Sequence, residues 1–165
     1  MEKYRTFFPR FVASLIDGFI MVPILVLDDW FRQAQFPPLF FYIWIPISLL
    51  ISAVYRIMMH GHYGQTLGKM AMNVKVLDVT EEPIKFNQAL LREIPQLIFC
   101  AGAIYLGIVF LAQDREAENV KMAYGTFNSF AGVWSLADIL TFFYSPKRRS
   151  LHDFIAGTVV VKTNV

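Results

Sequence analysis

Four apolar runs, over about residues 10–27, 39–59, 94–112 and 126–144, limit what this chain can fold into, because each is near the length of a bilayer-spanning helix. Hydrophobic residues make up 56% of the chain, aromatics 16%, and mean hydropathy is +0.46, outside the range of a soluble domain. The expected class is an all-α membrane protein, a single domain over 1–165 built as a four-helix transmembrane bundle. Charges before the first run look like a secretory leader, but the run contains Asp17 and lacks a small-residue cleavage pattern, so it reads as an uncleaved helix. The single cysteine, Cys100, excludes an internal disulfide and a Cys-rich metal cluster.

Lys and Arg are divided unevenly once the four runs are set aside. Lys3, Arg5 and Arg10 precede the first; Arg56, Lys69, Lys75, Lys85 and Arg92 lie at or between the second and third; Lys147, Arg148, Arg149 and Lys162 follow the fourth. The other side has Arg32, Arg115 and Lys121, with Asp28, Asp29, Asp114, Glu116 and Glu118. By the positive-inside tendency the middle loop and both termini are cytoplasmic, in a multi-pass protein of the cell membrane. The net charge of +2 averages over two unlike faces, and no nucleic-acid motif accompanies the basic residues.

Asp17 is the only ionisable group in residues 11–27. A carboxylate in hydrocarbon is costly and is turned toward a partner, a water pocket or an ion. Steps of four, three and four place Arg10, Ser14, Asp17 and Met21 on one helix face. Pro23 should kink this helix near its outer end, and residues 28–38 form an outer loop. On the second helix, Ser48, Ser52 and Tyr55 share a face, and Arg56 ends it by snorkelling to the interface.

The middle loop holds Gly61-His62-Tyr63-Gly64-Gln65-Thr66-Leu67-Gly68-Lys69, a shaped turn and not a nucleotide loop, since Tyr63 and Met70 stand where Gly and Ser or Thr are needed. His60 and His62 have no Cys or matching cluster nearby, so they read as interfacial residues and no metal site is expected. Residues 72–78 and 157–162 read as two short strands that pair into a cytoplasmic cap against the bundle. Residues 84–93 read as an interfacial helix leading to Pro95.

In the fourth run Asn128, Gly132, Ser135 and Asp138 share a face. Asp17 lies seven residues into the first helix and Asp138 six before the end of the fourth, so both are about 10 Å from the cytoplasmic boundary. If those helices are neighbours, the two carboxylates form a site for a proton or a monovalent cation, supported by Ser14, Asn128 and Ser135. The bland alternative is that each is hydrogen-bonded in place and holds helices in register. Arg10 is too far along its helix to pair with Asp17 and is expected at the cytoplasmic end, against lipid phosphate or a carboxylate such as Asp153.

Three blocks in order resemble the RDD family of membrane proteins: Arg10-Phe11-Val12-Ala13 with Asp17; Gly64-Gln65-Thr66-Leu67-Gly68-Lys69 before the 74–78 strand; and Arg148-Arg149-Ser150-Leu151-His152-Asp153 running into Ala156-Gly157-Thr158. The resemblance implies that Arg10, Asp17 and Asp153 are the three residues the family is named for, that Arg92 fills a basic position, and that cation/proton exchange is a suggested role. Asp153, just before the last strand, is expected to be a structural latch with Arg10 and Arg92. His152 has no nucleophile placed with it, and the chain is expected not to be an enzyme and to carry no cofactor. Two functions stand: a small transporter or cation/proton exchanger acting as a homo-oligomer, or a non-transporting membrane adaptor whose cap docks a partner protein.

Overall fold

The structure, a computed structural model, describes residues 2–112 and 118–163. A 3-10 turn at Glu2–Tyr4 leads into α1 (Phe7–Ile20), α2 (Val22–Gln33), α3 (Pro38–Tyr63), the short α4 (Leu67–Ala71) and β1 (Val74–Asp78). Then come α5 (Phe86–Ala112), α6 (Glu118–Tyr144), the short α7 (Leu151–Ile155) and β2 (Thr158–Lys162).

The first apolar run is broken and not merely kinked. α1 and α2 meet at Met21 with a 44° bend, and Pro23 sits in the first turn of α2, where its missing N–H removes no helical bond. The outer loop is also shorter than expected. α2 continues to Gln33 because its end is fastened to α3: Trp44 donates to Asp28, and Phe31 packs against Phe36, Phe40 and Trp44 at centroid distances of 5.0, 4.7 and 4.9 Å. The interfacial helix expected at 84–93 is the first part of α5, which runs through Pro95 without a break. A proline inside a helix costs about 3 kcal/mol in isolation, and here packing along α3 offsets it.

Among the described residues two helices are long and apolar enough to cross a membrane, α3 over Ile43–Tyr63 and α5 over Phe86–Gly107; the bent α1–α2 pair makes a third if it counts as one span. α6 is 27 residues long but does not join them, because Asn128, Ser129, Ser135 and Asp138 dilute its apolar content. The protein is therefore mostly helical and of membrane type. Asp114, Arg115 and Glu116, part of the charge-poor side, lie outside the described residues.

β1 and β2 pair antiparallel, Val74 opposite Lys162 and Asp78 opposite Thr158. Each strand is slightly shorter than its alternation suggests, because Asn73 (φ +53) and Gly157 (φ +62) turn the chain in the left-handed region just before them. The ribbon does not stand alone. Val74, Val76 and Val160 are fully buried with Ile84 and Ala89, and the Glu2–Tyr4 turn packs on β2. The sheet thereby gathers the start of α1, the end of α6 and both short helices at one end of the molecule.

Candidate functional site

At that end Asp153 is fully buried and receives two guanidinium groups. Arg10 Nη1 donates to its Oδ2 at 2.6 Å, and Arg92 donates to its Oδ1. Ser150 heads α7 as an N-cap, so its own N–H and hydroxyl also reach Oδ2, at 3.1 and 3.0 Å. Burial alone would raise the Asp153 pKa, but the charges of Arg92 and Arg10 outweigh it and hold the carboxyl well below the usual range. Arg10 is itself steered by Thr6 Oγ1 at 3.0 Å and the Arg148 carbonyl at 3.1 Å, and it lies 5.2 Å from the Phe142 ring. One carboxylate thus ties α1, α5 and α7 together.

Asp17 ties a different set. Its Oδ1 accepts from the Tyr55 hydroxyl at 3.0 Å and the Gly68 N–H at 2.9 Å, and its Oδ2 from the Thr66 hydroxyl at 2.6 Å. The glycine is required, since a Cβ at position 68 would lie 2.1 Å from the Ala13 carbonyl oxygen. α1 and α4 touch backbone to backbone there, and Thr66 caps α4 by accepting from Lys69 N. Three donors leave Asp17 little capacity for a cation.

Asp138 is held by His152, whose backbone N–H and Nδ1 lie 3.1 and 2.8 Å from its Oδ1. Arg92 Nη2 donates to His152 Nε2 at 2.9 Å, which leaves the imidazole proton on Nδ1, facing Asp138. No hydrogen bond joins Asp17 and Asp138 among the described residues. Asn128 and Ser135 are exposed, and the Ser135 hydroxyl returns to the Ala131 carbonyl of its own helix. Among the described residues neither Asn128 nor Ser135 hydrogen-bonds to Asp17 or lines the cavity; Ser14 does line it with Asp17.

A cavity of about 520 Å³ lies between these hubs, and the whole face expected on α1 (Arg10, Ser14, Asp17 and Met21) lines it. Arg56 lines it too, paired with Glu93 at 2.7 Å and not snorkelling outward. His60, expected at the interface, is only 2% exposed and reaches Lys69 Nζ through Nε2 at 2.6 Å. Among the described residues Lys69 has no carboxylate partner. Burial first, then the charges of Arg92 and Arg10, push its ammonium well below the ordinary lysine value. Lys69 is partly exposed and lines the cavity.

Sequence reading singled out Arg10, Arg92, Asp153 and Asp17 but gave Lys69 no role, taking it as a positive charge of the middle loop and the last residue of the Gly64–Lys69 block. The available signal was Gly68-Lys69 two residues after the capping Thr66, a glycine admitting a close helix approach beside a cation. Fold and site together define a class: a helical membrane-type protein closed at one end by arginine and aspartate hubs around a charged cavity. The chain matches the RDD family over residues 4–157 and belongs to it. A Haemophilus influenzae protein described as uncharacterized is 24% identical over 159 residues, covering 94% of this chain and 76% of its own. No solved structure matches.

Proposed function

We propose that the protein is a small multi-pass membrane transporter that handles an ion in the cavity and exchanges protons with it. In this reading the α1–α2 pair, α3, α5 and α6 are four spans, with the sheet and both termini in the cytoplasm, as the distribution of Lys and Arg favours. The observation that carries it is the cavity: about 520 Å³, at the sheet-side ends of the helices, lined by Arg10, Arg56, Lys69, Arg92, Asp17 and Glu93. Ionisable groups at such a place in a membrane protein mark ion and proton paths more often than packing. Two of its contacts are suited to proton movement, Lys69 with His60 and, on the same wall, His152 with Asp138. Assembly of several copies supplies the further helices an alternating-access path needs.

The test is flux. Protein reconstituted in liposomes should move protons together with a counter-ion above empty vesicles, and Lys69→Gln should abolish the coupling while the protein stays folded. Proton movement unchanged in Lys69→Gln would remove Lys69 from the path, and no flux of any ion in wild type would favour the adaptor reading instead.

A further inference from the structure

We propose that the cavity binds a phosphate-type oxyanion, held by Lys69, Arg92 and Arg10. The inference rests on the transporter reading for its biological meaning, but the site stands on its own geometry. The wall is rich in unused donors. Of the five N–H groups on each guanidinium, Arg92 uses three, on Asp153, Thr158 and His152, leaving two. Arg10 likewise uses three, on Thr6, Asp153 and the Arg148 carbonyl, leaving two more. Lys69 gives one N–H to His60 and has no other partner among the described residues.

Charge points the same way. Arg10 and Arg92 share Asp153 and Arg56 has Glu93, whereas Lys69, the fourth cation on the wall, has no carboxylate partner among the described residues. Buried unpaired cations are costly unless an anion meets them. A cation would find Asp17 already surrounded by three donors and Glu93 engaged by Arg56. A phosphate group brings only acceptors, on more oxygens than a carboxylate, and suits donors arriving from α1, α4 and α5. The volume lies within the roughly 300–1,000 Å³ of small-molecule sites. The shared chemistry has two sources, free phosphate or the phosphate of an anionic lipid headgroup, the second because the proposed four-span reading puts the cavity at the cytoplasmic ends of the helices.

The experiment is equilibrium binding to the full chain in phosphate-free detergent, with inorganic phosphate as one probe and phosphatidic acid in phosphatidylcholine nanodiscs as the other. Saturable binding of at least one probe is expected, weakened about tenfold or more by Lys69→Gln and by Ser14→Asp, which puts a negative charge in the cavity without touching the latch. Preference for inorganic phosphate identifies a free solute, and preference for phosphatidic acid identifies a lipid site; either supports the proposal. No saturable binding of either probe, or equal binding by Lys69→Gln, overturns it. Cation flux with no phosphate binding would leave transport standing without this site, whereas phosphate binding with no flux of any ion would leave the site standing without transport.

Discussion

Asp153 and Lys69 are both charged side chains deep in the same end of the molecule, and their surroundings are opposite. Asp153 meets two guanidinium groups, a capping serine and a threonine hydroxyl, so every lone pair has a donor. Lys69 meets a histidine and feels two further positive charges. A charge so well paired holds elements together; a charge left without its opposite weakens the fold and is explained by what it binds. The contrast distinguishes a latch from a candidate site at the same end of the molecule.

The comparison breaks most readily at the latch. Asp153→Ala should cost roughly 3–5 kcal/mol by detergent-based unfolding, because it leaves Arg10 and Arg92 buried without a carboxylate. Loss under about 1 kcal/mol would show that Asp153 is not what joins α1, α5 and α7. Next is the close approach beneath Asp17: Gly68→Ala must move the Ala13 carbonyl and should cost about 1–3 kcal/mol. The control is Gly18→Ala, which meets nothing within 4 Å and should be neutral or stabilising by about 0.5–1 kcal/mol.

The two groups also oppose each other in pH. Asp153 has a folded pKa below its unfolded value, so its contribution is complete above about pH 4 and disappears as the medium becomes more acid. Lys69 has a folded pKa well below its unfolded 10.5, so the unfolded chain holds the extra proton and stability rises with pH through the intervening window. Measured stability against pH should lose that alkaline slope in Lys69→Met and its acid slope in Asp153→Asn. An unchanged profile in both would contradict the assignment of opposite roles. The smallest effects are expected on α6, where Ser135→Ala and Asn128→Ala should change monomer stability by no more than about 0.5 kcal/mol. A larger loss would restore the polar face that the helix pattern suggested.

The parts of this arrangement visible in the sequence were those set by local periodicity. Arg10, Ser14, Asp17 and Met21 repeat at helical spacing and do share the cavity, and the β-branched 158–162 segment does pair with 74–78. Arg10 and Asp153, 143 residues apart, were linked through family resemblance and the chemistry of a buried carboxylate. Lys69 was not legible, because its position depends on the Gly68–Ala13 contact and on His60 being turned inward, and neither leaves a periodic trace. The expected Asp17–Asp138 pairing rested on equal depth, which says nothing about azimuth, and each carboxylate is engaged by its own donors.

Thermal unfolding of wild type and Lys69→Met, each in phosphate-free detergent and again with added phosphate, tests the division of labour most directly. The account predicts that Lys69→Met melts higher than wild type without phosphate and gains nothing when phosphate is added, while wild type rises. A Lys69→Met protein that melts lower than wild type, or that phosphate stabilises equally, would make Lys69 another structural residue and the cavity no site for an anion.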